Sequence, residues 1–335
     1  MPGIVALRGV AQRVLGPHLW LAGFSAAIAS GPMWAQQLPA YPVKPVRVIV
    51  PTVPGPLDIF ARYVTEKMTD RLKQPFVIEN RPGAGGNIGV EVVAKSPPDG
   101  YVITFAIDTT YTVNPSVYKK LPFDPVADFA TIAAPVTYGQ LLAVHPAVPA
   151  TNLAEFVTLA KQNRLSYASG GNGSPSHLTM SYFLATAGIE MTHIPYKGTG
   201  QSVVDVVGGQ VPTIFAVTSG VLPQVKAGKL RAIAISSTAR SALTPETPTI
   251  AESGYSGFDA QFSFAIMAPA GTPNEIVQLL NREIRIALGH PDVVARLKAA
   301  DFVPTDFDPA QSAVWLRNAR ERWAQVVQRA GIAPE

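Results

Sequence analysis

The chain has 335 residues and no cysteine, which excludes disulfide bridges, thiolate catalysis, iron–sulfur ligation and the lipidated cysteine of a tethered bacterial lipoprotein. Its formal charge is +4 at pH 7, but the basic residues are scattered and part of the excess lies in the first forty residues, so nucleic-acid binding is not expected. The 31 prolines fall at segment ends rather than in a tract and act as turn punctuation.

Arg8 and Arg13, with no acid nearby, precede an apolar small-residue run from Leu19 to Ala29 and then Ser30, Gly31 and Pro32. That order is the grammar of a secretory signal peptide, with Ala27-Ile28-Ala29 as an A-x-A cleavage site and Ala35 as a second candidate. The run is too short to span a bilayer. Residues 1–35 are therefore expected to be removed, leaving a periplasmic chain long enough for two lobes.

From Pro45 onward, short β-branched runs alternate with amphipathic helical runs, which predicts an α/β sandwich on a largely parallel sheet. Val46–Val50 is the first strand; Leu57, Phe60, Val64, Met68 and Leu72 then recur at helical spacing until Gln74-Pro75 stops the helix. Strands at 76–79 and 101–107 flank a turn at 83–86 and a helix at 88–95. A strand at 141–144 and a helix at 153–161, with Asn152 near its start, open a second set of units. In that set, strands at 165–168, 191–194, 211–216 and 230–235 accompany helices at 176–187 and 202–207. A strand at 264–267 returns to the first set, before a Pro273-initiated helix and a long helix at 309–330 whose Leu316, Trp323 and Val327 face a core. Crossings near 140 and 262 predict a discontinuous first lobe (41–139 and 262–335) and an inserted second lobe (140–261).

The stretch SYASGGNGSPSHL, from Ser166 to Leu178, joins a strand to a helix through Gly170, Gly171 and Gly173 and carries no charge. Glycine permits close approach to a ligand, Ser174 can cap the helix, and Pro175 fits its first turn. Backbone N–H groups in such a loop would receive a carboxylate or a phosphate. The segment VIVPTVPGPLDIFAR at 48–62 repeats the design, and two anion cradles imply a cleft between two lobes. Thr109, Thr110, Asn172, Ser174 and Ser176 add neutral donors.

The hydrolase elbow G-x-S-x-G is absent, since residues 171–176 read GNGSPS. Ser174 or Ser176 with His177 offers a nucleophile and base only as near neighbours in sequence, and His177 is expected instead to bond the adjacent loop or lobe. His145, His193 and His290 lack metal-ligand spacing, and no phosphate-loop or dinucleotide fingerprint occurs, so neither metal nor cofactor is expected. Asp58 is expected to serve structure near a helix start; Lys197 is either a charge partner at the cleft or a surface lysine.

Several motifs in order resemble the Bug family, the TctC-like extracytoplasmic solute receptors of tripartite tricarboxylate transporters. They are VRVIVP at 46–51, ENRPGAGGNIG at 79–89, PPDGY at 97–101, NPSVY at 114–118, the 166–178 loop, HIPYKGTG at 193–200, KAGKLRAIA at 226–234 and APAGTP at 268–273. The resemblance implies a bilobed periplasmic-binding-protein fold of the type II, Venus-flytrap kind, with two α/β lobes joined by a two-strand hinge. It also implies a non-enzymatic monomer that closes on a small organic acid and delivers it to inner-membrane transporter subunits. The contacts expected on this basis are Pro54, Gly55, Pro56, Leu57, Asp58, Thr109, Thr110, Ser169, Gly170, Gly171, Asn172, Gly173, Ser174, His177, Lys197, Ser219, Ser263 and Phe264. The first loop is one residue shorter than the usual Pro-Gly-Gly-x-x-Asp, and Ala216 and Ser263 replace an acid and an aromatic common in the family. Those departures favour a dicarboxylate or an aromatic acid over an amino acid. A periplasmic partner of a membrane signalling protein and an exported hydrolase are the alternatives.

Overall fold

The structure, a computed structural model, describes residues 41–332 and Pro334, so the expected signal peptide at 1–35 lies outside the described residues. The strand–helix alternation begins with β1 (Val46–Val50), α1 (Pro56–Leu72), β2 (Phe76–Asn80), α2 (Asn87–Ala94) and β3 (Val102–Ile107). Two one-turn helices, α3 (Thr109–Thr112) and α4 (Asn114–Val117), lead to β4 (Phe129–Ala133) and β5 (Val136–Tyr138). A second run comprises β6 (Leu141–Val144), α5 (Leu153–Gln162), β7 (Ser166–Ser169), α6 (Pro175–Ala187), β8 (Thr192–Pro195), α7 (Thr199–Val207), β9 (Thr213–Ala216), α8 (Thr218–Lys226) and β10 (Arg231–Ile235). The chain ends with β11 (Phe262–Pro269), α9 (Asn274–Leu288), α10 (Pro291–Ala300), β12 (Val303–Pro304) and α11 (Pro309–Arg329).

These strands form two sheets, each backed by helices. One has the order β12-β5-β11-β3-β1-β2 with β4 also on β11; the other is β10-β6-β9-β7-β8. The chain changes sheet between Tyr138 and Leu141 and again between Ile235 and Phe262. The expectation of largely parallel sheets is corrected. β1–β2, β1–β3, β7–β8 and β7–β9 are parallel, whereas β11 pairs antiparallel with β3, β4 and β5, and β6 pairs antiparallel with β9 and β10. A strand arriving from another sheet is free of the crossover that forces parallel pairing.

Ser236 links the two passages between the sheets. Its hydroxyl donates to Ala260 O (2.8 Å) and accepts from Gln140 N–H (2.8 Å). The Ser236 backbone bonds the same two residues, and its side chain is fully buried. Near the return passage, Phe262 stacks on Trp323 of α11 at 4.7 Å, which puts Trp323 in the core as its helical spacing predicts. Asp308 and Gln311 close α11's N-terminus as a reciprocal capping box, with Pro309 in the first turn.

Candidate functional site

The loops expected to bind ligand lie at the C-terminal ends of parallel strands, where open α/β sheets place their ligands. After β1, Pro56 opens α1, and the Leu57 and Asp58 amides have no partner among the described residues. Such first-turn amides carry the positive end of the helix dipole. The Asp58 carboxylate is buried and gripped by Arg62 Nε (2.9 Å) and Nη2 (3.0 Å), which holds it below the ordinary carboxylate range, with Asn80 assisting. Asp58 is thus an ion-paired structural group.

After β2, the turn at 83–86 is pressed against its neighbours. A Cβ on Gly86 (φ +95°) would stand 2.8 Å from Thr110 Oγ1, and one on Gly89 would stand 2.7 Å from the Pro51 side chain. Thr110 Oγ1 and Asn114 Nδ2 both donate to Gly85 O, at 3.3 and 3.1 Å, and Thr109 and Thr110 are buried. The loops after β1, β2 and β3 therefore form one packed rim.

In the second sheet, the glycine loop after β7 is shaped by its own side chains. Gly170 N–H donates to Ser176 Oγ (2.9 Å), Gly171 N–H to Ser169 Oγ (3.1 Å), and Gly173 N–H to His177 Nδ1 (3.2 Å). Ser174 N–H and Oγ–H both donate to Gly171 O, at 3.2 and 2.6 Å, and Ser174 caps α6 by accepting from His177 N–H (3.4 Å). The expected row of open amides is thus corrected: the amides at 170, 171, 173 and 174 are engaged within the loop. Short hydroxyls and a nearby imidazole reach them without leaving the turn. Gly171 and Gly173 have φ of +116° and +68°, the left-handed region that favours glycine.

Across the gap, a Cβ on Gly173 would stand 3.3 Å from Val117 of α4, so the loop meets the first sheet's helices there. Beside this contact a cavity of about 610 Å³ opens. It is lined by Tyr167, Asn172, His177, Ser181 and His193 together with Val117, Tyr118 and residues 329–332. Glu190 and Arg329 bring opposite charges to its lining. Burial pushes the His177 imidazole down to about 3, aided by the neighbouring His193, and burial also lowers His193 to about 4, so both rings are neutral at pH 7.

The structure brings Asn172 and His177 to this cavity and gathers Ser169, Gly170, Gly171, Gly173 and Ser174 into one bonded loop beside it. Pro54 and Pro56 are exposed and Gly55 is half-buried. Lys197 is exposed on the turn between β8 and α7, without an ion pair among the described residues; Ser219 is half-buried at the start of α8. Ser263 and Phe264 lie in the core. The Ser263 hydroxyl donates to Val136 O (2.6 Å), and Phe264 packs on Phe60, Tyr138 and Phe302, so neither presents surface to a ligand. Sequence reasoning missed Tyr118, Tyr167, His193 and Arg329 as lining residues. The sequence held no local signal for His193, because the register of β7 on β8 that sets it beside Tyr167 is fixed only in the folded sheet. No group of three or more His, Cys, Asp or Glu among the described residues could hold a metal ion.

A family profile described as "Tripartite tricarboxylate transporter family receptor" matches residues 60–332. Protein BugT of Bordetella pertussis is 34% identical over 322 residues, covering 95% of this chain and 96% of BugT. Among solved structures, R. palustris Rpa4515 with adipate superposes with a TM-score of 0.82 at 32% identity, covering 88% of this chain and 100% of that one. MatC from Rhodopseudomonas palustris with bound malate superposes with a TM-score of 0.77 at 31% identity, covering 86% and 100%.

Proposed function

Since the chain belongs to the tripartite tricarboxylate transporter receptor family, whose members are bilobed periplasmic binding proteins rather than enzymes, we propose that it captures a small organic carboxylate and delivers it to inner-membrane transporter subunits. The lobes in this reading are 41–139 with 262–335 and the inserted 140–261, and a signal peptide at 1–35 directs export to the periplasm. The observation that carries it is the placement of loops at the C-terminal strand ends of both sheets. At those ends α1 begins with Leu57 and Asp58 amides that have no partner among the described residues, and Asn172 and His177 line the cavity. Adipate and malate in the two R. palustris proteins support a dicarboxylate, and the buried Ala216 supplies no carboxylate for an ammonium group.

The cleft groups support binding over hydrolysis. Asp58 is tied to Arg62, and the Ser169 hydroxyl, 2.6 Å from His193 Nε2, is fully buried and so is no accessible nucleophile. A thermal-shift screen of adipate, malate, succinate, phthalate and aspartate tests the reading. A ligand at 100 times its Kd adds about 2.7 kcal/mol of apparent stability, and the dicarboxylates or phthalate should do so while aspartate should not. No stabilisation by any of them would end the proposal.

A further inference from the structure

His193 is a half-buried imidazole on β8 that no expected ligand contact includes, yet it makes three separate contacts beside the glycine loop. Its Nε2 lies 2.6 Å from Ser169 Oγ, the same oxygen that accepts Gly171 N–H. One ring face stacks on His177, with centroids 4.0 Å apart and planes within 4°, and Tyr167 stacks on it as well at 4.9 Å and 15°. The His177 ring is in turn fixed at its other end. Because Gly173 N–H can only donate, His177 Nδ1 must accept, and the neutral ring then carries its hydrogen on Nε2. That Nε2–H has no partner among the described residues, on a side chain 6% exposed that lines the cavity.

We infer that His193 is a positioning residue for ligand capture: bonded to Ser169 and stacked on His177, it holds the glycine loop and the one ring arrangement that leaves a neutral N–H donor for an acid oxygen in the cavity. This rests on the proposed carboxylate-binding function. The physical logic is that a glycine-rich turn has many accessible conformations, and stiffening it beforehand lowers the cost of binding. A neutral donor also suits a carboxylate without adding a buried charge that would need its own partner.

Two substitutions separate the bond from the ring. His193→Phe keeps an aromatic face for His177 but has no group for Ser169; His193→Gln puts an amide nitrogen close to the Nε2 position. Adipate affinity, measured by calorimetry with malate and phthalate as alternate probes, should fall about fivefold to tenfold in the Phe variant, the scale of one hydrogen bond, and return to within about threefold in the Gln variant. Hydrogen exchange at the Gly171 and Gly173 amides, read without ligand, should quicken about tenfold in the Phe variant alone, at global stability equalised with urea. Wild-type affinity in the Phe variant, or unchanged exchange at both glycines, overturns the inference. If the wild-type protein binds none of the three acids while the exchange result holds, the loop assignment stands and the carboxylate function falls.

Discussion

His177 and His193 lie face to face, ring centroids 4.0 Å apart, although they come from a helix and a neighbouring strand. Both are held neutral: burial carries His177 from its ordinary 6.5 to about 3, and His193 to about 4. A base whose folded value is depressed contributes stability that is complete above its unfolded value. It is lost as pH falls toward the folded one. Unfolding free energy should therefore decline from pH 6.5 toward pH 4, by up to about 1.4 kcal/mol per pH unit for each ring. His177→Asn, whose side-chain oxygen can accept from Gly173 N–H but does not titrate, should flatten that limb in urea titrations. An equally steep limb in the variant would contradict this account.

Asp108, at the end of β3, is fully buried, and neither carboxyl oxygen has a hydrogen-bond partner among the described residues. Burial pushes it up to about 8, and the nearby Ser263 amide and Arg322 offset only part of that. For an acid raised in the fold, stability is greatest at low pH and declines as pH rises from about 4 to about 8. Asp108→Asn should gain stability relative to wild type as pH increases across that window. A constant difference between the two at pH 5 and pH 8 would refute the neutral carboxyl.

Ser236→Ala removes the hydroxyl that joins Gln140 N–H to Ala260 O and leaves both backbone groups without it. Buried orphaned groups of this kind cost about 1–3 kcal/mol. Chemical denaturation should show that loss, because both passages between the sheets are affected. A variant with wild-type stability would rule out the link.

Gly86→Ala should destabilise by about 1–3 kcal/mol, since φ is +95° and the new methyl would stand 2.8 Å from Thr110 Oγ1. Pairing it with Thr110→Ala should recover the steric part but not the backbone part. Thermal melts of the two single variants and the double variant decide the split; an unchanged melting temperature in Gly86→Ala would show that the turn is not pressed against Thr110.

Trp323→Ala should cost about 3–5 kcal/mol, the range for deleting a fully buried aromatic side chain. Its stack on Phe262 lies beside the passage into β11, so the loss should appear in cooperative unfolding by calorimetry. A loss below about 1 kcal/mol would remove Trp323 from the core it is assigned to.

Local pattern by itself determined the elements whose cause is local: β1 from its β-branched run, α1 from apolar spacing with Pro56 at its start, α5 from the Asn152 cap, and α11 from the Leu316–Trp323–Val327 stripe. The motifs in order also determined the family, because they span the folded chain. Only the tertiary structure decided what depends on partners far away in sequence. Short β4 and β5 exist because β11 pairs with each of them, and α8 forms despite Pro223 and Gly220 because Thr218 and Val221 are buried against the fold. The glycine loop looked open in sequence because its composition does not reveal that Ser169, Ser176 and His177 turn back onto its amides. His193 reaches His177 only through the register of two parallel strands. Periodicity and capping are written within a few residues, whereas a hydrogen-bond partner or a stacked ring is chosen by how distant segments pack.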